Sequence, residues 1–519
     1  MCITSHLLEE PNNLCTLFVR RKDIDEQSRV KIGILTNYYP RHGLVTSLAE
    51  RYQVSRPFIY HQKALVKQAL SVLNPGSLDS PDLIGEENIK QLLLYRIRGS
   101  VSISKCSDFL SENNCANTSE GWISEQIKYL GDLVGNVVLD WEGSVVFASD
   151  EIYMVNDIPV LVTVDPVSSA ILSITVCKSL NKELWESHWS NLVNKGIEPL
   201  SLVGDEGKSL KAAHKSSHES VTYQPDTFHA ITQRFGKVSN RLERAALSCI
   251  QKEYEREKVY LNAKSEQNQV KQSQLYQQSQ QATQKALSLL SDFKWLYGQI
   301  NRQLKVVRSD GSIRRKQWAE GEVQAALELM EETLAIDLEQ QINAVRKLLP
   351  DLFQYLDQAQ RVYTFLAKQI PGHLLPFYLL YWQYQRELNN LKKARDKNRF
   401  TKSKQYLIQI LQEYQKQQAE VFEQERQLVF AAMQGVVQSS AMVECINSIL
   451  RPIFNESKGQ VSQQTLNLVM YWHNHRVYKK GKRKGKSPIE LLTGNKPKVE
   501  WRQAIIDLAK KEQALRKVA

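Results

Sequence analysis

Residues 145–154 read VVFASDEIYM and residues 200–205 read LSLVGD, and these two stretches decide the fold. Both are rich in β-forming residues and both carry carboxylates, whose burial without a partner would be costly. Between them, residues 158–165 and 170–177 are two further apolar runs joined by a turn-like PVSS, and residues 182–193 have helical spacing. The order strand, strand, strand, helix, strand predicts one compact sheet with acids on its first and last strands.

The acids on these strands are the first candidate functional residues. Asp150 lies in the first strand, and Asp205 directly follows the last one. Two carboxylates held close together raise each other's pKa unless a cation lies between them. Mg²⁺ prefers such hard oxygen ligands and keeps open positions for phosphate and water. The pattern therefore predicts a divalent-metal site at the ends of the two strands.

This arrangement resembles the RNase H-like catalytic core of DDE transposases and retroviral integrases, which implies a third acid on a later helix. The candidate segment is SSAMVECINSILRP, residues 439–452. An apolar stripe at helical spacing is formed there by Val443, Ile446 and Leu450. The adjacent face carries Glu444, Asn447 and Arg451. A capping-box role for Glu444 would need Ser or Thr at position 441, which is Ala, so an ordinary solvated glutamate is the remaining alternative.

By this resemblance, Asp150, Asp205 and Glu444 hold two Mg²⁺ ions, for which Mn²⁺ can substitute. One ion activates water, and later a DNA 3′-hydroxyl, as the nucleophile, and the other stabilises the leaving oxygen. Asp150 is preferred to Glu151 because strand alternation places only one of them on the active face. The other possible acids are Asp140, Asp165 and Glu206.

A second resemblance follows Asp205. Residues 223–230 (YQPDTFHA) place Asp226 and His229 three apart, which is similar to the (C/D)xxH motif of hAT-like and Mutator-like transposases. The resemblance implies an accessory role in orienting DNA or an acid, whereas a histidine satisfied within a core is the structural alternative. The long helical stretch that follows looks like the helical insertion of hAT-like enzymes, and contacts with DNA and a second subunit are its expected roles. Plain helical packing would explain the same residues.

The N-terminal part predicts a helix-turn-helix between residues 44 and 65. Its first helix covers residues 44–52, and its second begins with Ser55 as N-cap and has Ile59 as a core contact. The face expected to enter a DNA groove carries Arg56, Tyr60, His61 and Lys63. An ordinary three-helix packing unit is the alternative. Residues 119–130 could be the recognition helix of a second such unit, or helical scaffolding.

The positive charge is concentrated near the end of the chain. Lys and Arg outnumber Asp and Glu by 68 to 56, a net charge of +12 that favours a polyanionic partner. Residues 471–486 read YWHNHRVYKKGKRKGK, in which Gly481 and Gly485 are expected to keep the chain flexible. The basic residues predicted to bind DNA phosphates are Arg476, Lys479, Lys480, Lys482, Arg483, Lys484 and Lys486. Ser487, Pro488 and Glu490 predict a capping box that starts another helix.

The fold class expected is an α/β RNase H-like core, a mixed five-stranded sheet with helices, interrupted by a large all-α insertion and preceded by helix-turn-helix units. The predicted boundaries are 1–72 for a helix-turn-helix unit, 73–86 for a linker, 87–138 for a second such unit, 139–240 for the first part of the core, 241–438 for the insertion and 439–519 for the second part of the core with the basic tail.

The segment NHR, the basic run and SPIELL together resemble the region after the catalytic Glu in several bacterial insertion-sequence transposases. With the core resemblance, this covers mainly residues 145–230 and 436–494. The expected function is a DDE transposase that binds double-stranded DNA at element ends and target, as a homodimer or larger assembly. The alternatives are a non-catalytic DNA-binding regulator derived from a transposase, and a nuclease that cuts without joining. The absence of a long apolar run or a signal-peptide pattern predicts a cytoplasmic, nucleoid-associated protein.

Overall fold

The computed structural model of the protein describes most of the chain. The residues described are 24–38, 43–73, 85–113, 115, 118–135, 137, 139, 141–334, 336–390, 398, 401, 402, 404–409, 413, 419–458, 461–481 and 483–518. They divide into two compact units, residues 1–89 with 505–519, and residues 90–504. Among the described residues, no helix combines the length and the apolar character needed to cross a bilayer. Most of the predicted linker, residues 74–84, lies outside the described residues.

Three helices form the core of the first unit: α1 (Glu26–Tyr38), α2 (Leu44–Arg51) and α3 (Arg56–Leu73). Their buried contacts are made by Ile24, Ile32, Leu44, Leu48, Val54 and Ile59. The turn between α2 and α3 contains Gln53 in a left-handed conformation, φ 50°, where glycine would be less strained. On α3, Arg56, Tyr60 and His61 are exposed and Lys63 is half-buried. The helices of the predicted helix-turn-helix are therefore present, and DNA reading by α3 stays a prediction.

The second unit contains the predicted mixed five-stranded sheet, which is confirmed. Its strands are β1 (Gly143–Tyr153), β2 (Pro159–Val164), β3 (Ile171–Val176), β4 (Ile197–Gly204) and β5 (Tyr223–Pro225), in the order β3-β2-β1-β4-β5. β1 is parallel to β4, and β4 to β5, whereas β2 is antiparallel to both β1 and β3. The fifth strand is the one the sequence reasoning had not located, because it is only three residues long.

One face of the sheet is covered by α7 (Lys182–Val193), whose bounds match the predicted helix. Trp185, His188 and Trp189 of α7 are fully buried against the strands. His188 Nε2 lies 3.0 Å from Thr163 Oγ1, its Nδ1 lies 2.7 Å from Thr175 Oγ1, and Trp189 Nε1 donates to Ser149 Oγ at 3.2 Å. Burial lowers the pKa of His188 to about 3, so this histidine is a neutral part of the core. Sequence reasoning missed this network, although hydroxyl residues on buried strands were a usable signal.

The free edge of β3 is closed by side chains of α17 (Gln463–His475). Asn474 Oδ1 accepts from Ile171 N at 2.8 Å and its Nδ2 donates to Ile171 O at 2.9 Å. Gln463 pairs with the other end of β3, where it accepts from Val176 N at 3.0 Å and donates to Ile174 O at 2.7 Å. The two amides fit because the helix rises about 16 Å between them and the strand advances about the same distance from Ile171 to Val176. An edge that could pair with another chain is thus occupied.

Helices α4 (Glu86–Leu93), α5 (Ile103–Glu112) and α6 (Glu120–Gly135) precede the sheet. α6 approaches α17 so closely that a Cβ on Gly131 would lie 2.3 Å from the Gln464 carbonyl oxygen. The exposed face of α6 carries three acids and one lysine, Glu120, Glu125, Asp132 and Lys128. An acidic face repels DNA phosphates, and a recognition helix at residues 119–130 stays a prediction.

A large helical block interrupts the chain after β5. Its helices are α9 (Arg234–Leu261), α10 (Glu266–Gln303), α11 (Lys316–Thr333), α12 (Glu339–Leu352), α13 (Gln354–Leu366), α14 (Leu375–Asn390) and α15 (Ala419–Gln434), whereas α8 (Lys208–Ser217) precedes β5 and packs against α7. One hydrophobic core runs from Ala230 to Val436. The predicted boundary at residue 240 falls inside α9, because that helix is continuous from Arg234. The remaining helices are α16 (Ala441–Glu456), α17, α18 (Pro488–Thr493) and α19 (Trp501–Val518).

We expect Asn474→Ala to destabilise the second unit by about 2–4 kcal/mol, because it leaves the buried N–H and C=O of Ile171 without partners. Chemical denaturation followed by circular dichroism measures the change. The control is Gln464→Ala on the same helix, which removes an exposed hydrogen bond to Asp132 and should change stability by less than about 1 kcal/mol. Equal stability of the two variants would show that closure of the β3 edge is unimportant.

Candidate metal centre

The parallel pairing of β1 with β4 brings two carboxylates to the same edge of the sheet. The last paired residues are Ser149 on β1 and Gly204 on β4. Asp150 and Asp205 are the residues that come directly after this pair, so the strand register brings the two acids together. Asp205 is held in a tight turn in which its Oδ1 accepts from Gly207 N at 2.8 Å, and Tyr223 donates its hydroxyl proton to the Asp205 carbonyl oxygen. The strands and this turn fix both carboxylates before any ligand binds.

Glu151 joins the two aspartates. One carboxylate oxygen from each of Asp150, Glu151 and Asp205 lies within 4.8 Å of the others, a spacing that could hold a metal ion. Strand alternation predicted that only one of Asp150 and Glu151 would lie at the site, but in the structure both carboxylates belong to the cluster. The physical reason is that β1 continues beyond its last pair with β4, at Ser149, so the Glu151 side chain can turn around the end of the shorter strand.

The cluster concentrates negative charge in a partly buried place. The pKa of Asp150 rises to about 8, mainly because the carboxyl is buried and also because Asp205, Glu151 and Glu444 repel its charge. The pKa of Glu151 rises to about 7 for the same reasons, burial first and then Asp205. Glu151 Oε2 is buried with no hydrogen-bond partner among the described residues. A carboxylate oxygen without a hydrogen-bond partner, close to the carboxylates of Asp150 and Asp205, suits a hard divalent cation. These oxygen ligands therefore suit Mg²⁺ or Mn²⁺.

Glu444 approaches this cluster from α16. Val443, Ile446 and Leu450 are buried as predicted, and Glu444 lies in the first turn of the helix. Its charge contributes to the raised pKa of Asp150, and α16 packs against β1, the strand that carries Asp150, although 294 residues of chain separate the two acids. Glu444 is not one of the three clustered carboxylates; it is half-exposed and lies 3.8 Å from Arg451 in an ion pair.

Asn447 differs from the sequence expectation. It was expected on the same face as Glu444, but it is almost fully buried. Position 447 is one turn after Val443 and one turn before Leu450, so it falls on the inward side of α16. Its Oδ1 has no hydrogen-bond partner among the described residues. Asn447 is therefore part of the packed side of the helix, and Arg451 remains on the exposed side with Glu444.

Asp226 connects three segments through its buried carboxylate. Its Oδ1 accepts from Phe228 N at 2.7 Å and from His229 N at 3.1 Å. Its Oδ2 accepts from Ser440 N at 2.8 Å and Ser440 Oγ at 2.6 Å, and its own N–H donates to Gly204 O at 2.8 Å. Ser440 immediately precedes α16. Asp226 thus ties the end of β4 to the start of the helix that carries Glu444, whereas the His229 ring makes its described hydrogen bond with Gln233.

The other acids considered from sequence have different environments. Asp165 closes the turn between β2 and β3 by accepting from Val167 N, Ser168 N and Ser168 Oγ at 3.2, 2.8 and 2.5 Å. Glu206 forms an ion pair with Arg234. Asp140 lies outside the described residues. Asp165 is therefore already engaged by hydrogen-bond donors of its turn, and Glu206 by a cation of the chain.

The described residues of the basic segment, 476–481 and 483–486, form a hydrogen-bonded loop. Tyr478 N donates to Lys486 O at 3.0 Å and Gly485 N to Tyr478 O at 2.8 Å. Gly481 and Gly485 have φ of 81° and 82°, so their conformational freedom serves this turn rather than the flexibility expected from sequence. The aromatic residues Tyr471 and Trp472 are buried in α17, and Arg476 stacks on Trp472 at 5.0 Å. The capping box of Ser487 and Glu490 is confirmed.

The candidate DNA-binding residues of this loop divide into two groups. Arg483 donates to Pro166 O at 3.0 Å and Val167 O at 2.9 Å, which anchors the loop to the turn between β2 and β3. Burial lowers the pKa of Arg483, and these hydrogen bonds give Arg483 a structural role, while its contact with DNA stays a prediction. The exposed lysines are Lys479, Lys480, Lys484 and Lys486. Lys482 lies outside the described residues.

The raised pKa of Asp150 predicts a pH-dependent stability of the metal-free protein. Its folded pKa of about 8 exceeds the ordinary 3.8, so the folded state binds the proton more tightly and stability falls as pH rises between these values. Asp150→Asn should make the free energy of unfolding less dependent on pH and raise it by several kcal/mol at pH 8, because each pKa unit corresponds to about 1.4 kcal/mol. Thermal unfolding in EDTA from pH 5 to pH 8.5 measures it. The control is Glu198→Gln, an exposed acid on β4, and an equally steep decline in Asp150→Asn would contradict the assignment.

No known protein-family model matches this chain, and a search of curated protein sequences finds no match either, so the geometry of the site carries the functional argument.

Proposed function

We propose that this chain is a DDE-type transposase with an RNase H-like core, which binds the ends of a mobile DNA element and catalyses metal-dependent DNA cleavage and strand transfer. One observation carries the proposal: Asp150, Glu151 and Asp205 converge at the ends of two parallel strands. Glu444, on a helix beyond the helical block, lies outside the three clustered carboxylates, and its charge helps to raise the pKa of Asp150. Carboxylates from separate chain segments held side by side are what a two-metal phosphoryl-transfer site requires.

The residues divide the work of such a site between them. Asp150, Asp205 and Glu444 would hold the metal ions, and Glu151 is a fourth acid within reach of the same position. Bound divalent ions would supply Lewis acidity, activating a hydroxyl nucleophile and stabilising the oxygen that leaves phosphorus. The role of Asp226 is to hold the start of α16, and so the position of Glu444, through its bonds to Ser440. Asp226 is therefore a positioning residue, and the catalytic residues are the acids themselves.

Several basic surfaces support a DNA substrate. The exposed residues Arg56 and Tyr60 on α3, with Lys63 beside them, suit groove recognition. The exposed lysines of the loop after α17 suit contacts with phosphates. Arg483 joins this loop to the turn between β2 and β3 of the sheet. In this proposal double-stranded DNA contacts the exposed lysines of the loop, and two element ends require at least two copies of the chain.

Glu444→Gln should abolish cleavage while leaving DNA binding intact, because the variant removes one charge from an exposed side chain. The assay is nicking of labelled duplex DNA carrying the element's ends, with Mg²⁺ or Mn²⁺, and a loss of about 10³-fold or more is expected for a group that stabilises the transition state. The matched control is Glu456→Gln, an exposed acid at the other end of α16, which should cut like the wild type.

The outcomes separate the candidate functions. Cutting by Glu444→Gln at the wild-type rate would remove Glu444 from the site. Binding without cutting by the wild-type protein at every metal concentration would overturn the proposal and favour the non-catalytic regulator. Cutting without joined products would favour a nuclease, so strand-transfer products are measured in the same reaction.

A further inference from the structure

A groove leads away from the acidic cluster between α9 and α12. Its walls include Arg234, Lys237 and Arg241 from α9, and Gln340 and Gln341 from α12. The depression continues past Gln340 to Glu206, Lys211 and Lys347, and in the other direction to Leu242 and Ile336. Because Glu206 follows Asp205 in the chain, one end of this groove adjoins the carboxylates. The groove is part of the second unit alone.

The charge on α9 follows one helical face. Arg234, Lys237, Arg241 and Arg244 recur at intervals of three and four residues, which is the spacing of neighbours on one side of a helix. The row rises about 15 Å, which matches about four nucleotides of one strand measured along a DNA duplex. A row of this kind presents cations at the spacing of a phosphate backbone. This row is visible in the sequence RFGKVSNRLER, residues 234–244, but the net charge of the whole chain does not reveal it.

Most of these cations are not used by the protein itself. Arg234 is the exception, because it pairs with Glu206 and so joins the row to the edge of the acidic cluster. Lys237, Arg241 and Lys347 are exposed and form no ion pair with any residue the structure describes. Besides Glu206, the acids of the groove are Asp337 and Glu339 at the start of α12, where the Asp337 carboxylate accepts from Glu339 N at 3.2 Å. Unpaired cations beside amide side chains suit a polyanion, and the few apolar residues do not suit a peptide.

We propose that the groove between α9 and α12 binds the phosphodiester backbone of the DNA strand on one side of the scissile phosphate. The inference rests on the proposed function, because that function places the scissile phosphate at Asp150 and Asp205. Arg234 and Glu206 mark the point where the strand leaves the acids. Lys237 and Arg241 then contact successive phosphates, with Lys211 and Lys347 on the opposite wall. The helical block thereby serves as part of the substrate site rather than as packing alone.

The test compares two double variants of the same helix. Lys237→Ala with Arg241→Ala removes two cations from the groove, and Lys252→Ala with Arg256→Ala removes two exposed cations further along α9, outside it. Both pairs lower the net charge by the same amount, so general attraction to DNA is matched. All four side chains are exposed, and an unchanged melting temperature checks that each variant folds. The probe is a fluorescein-labelled duplex carrying the element's end, with anisotropy read in EDTA over a range of salt concentrations.

We expect the groove variant to bind on the order of tenfold more weakly at moderate salt, with the slope of log K against log salt reduced by about 1.8 for two lost phosphate contacts. The control variant should keep the wild-type slope. Equal losses in both variants, or no loss in either, would overturn the groove.

The two proposals fail separately. Binding in EDTA needs no metal. Weaker DNA binding by the groove variant, together with no metal-dependent cutting by the wild type, would therefore refute the transposase activity and leave the groove as a DNA site. Normal cutting with an unchanged salt slope in the groove variant would refute the groove alone.

Discussion

Repulsion among Asp150, Glu151 and Asp205 is the interaction on which the rest of the structure depends. Three carboxylates within 4.8 Å of one another cannot all carry charge without a compensating cation, and burial of Asp150 makes the charged state costlier still. The protein keeps them together by rigid means. β1 and β4 are central in the sheet, α7 packs beneath them through a hydrogen-bonded core that includes His188, and a tight turn fixes Asp205. A flexible loop would relieve the repulsion by moving the acids apart.

Other buried carboxylates show what a structural acid looks like in this protein. Asp226 receives four hydrogen bonds from Phe228, His229 and Ser440, and Asp165 receives three from the turn that it closes. Each of these acids has donors to satisfy its charge. Asp150 accepts one described hydrogen bond, from Glu151 N, and Glu151 leaves an oxygen without a partner. The number of donors therefore separates acids that hold the fold together from acids that remain available to a ligand.

The same distinction applies to the cations. Arg483 belongs to a basic run and Arg234 to a row of cations on α9, yet both are committed within the protein, Arg483 to carbonyl oxygens and Arg234 to Glu206. Lys237, Arg241 and the exposed lysines of the loop after α17 point to solvent instead. In the proposed DNA path, the committed arginines hold the surfaces in place and the exposed cations contact phosphate. A run of basic residues in a sequence does not distinguish these roles.

The sequence by itself determined four of the five strands of the sheet and the helix that covers it. Alternating and apolar runs predicted β1 to β4 and α7, because side-chain periodicity is a local property of the sequence. Ser487 and Glu490 predicted a capping box for the same reason. The pairing of Asp150 with Asp205 also followed from strand ends. Tertiary structure decided the rest, because it depends on partners distant in sequence: the entry of Glu151 into the cluster, the bond from Asp226 to Ser440 across 214 residues, the inward turn of Asn447 and the closure of the β3 edge by Gln463 and Asn474. Whether a polar side chain is satisfied or available is set by the donors that the fold places around it, and no local pattern records them.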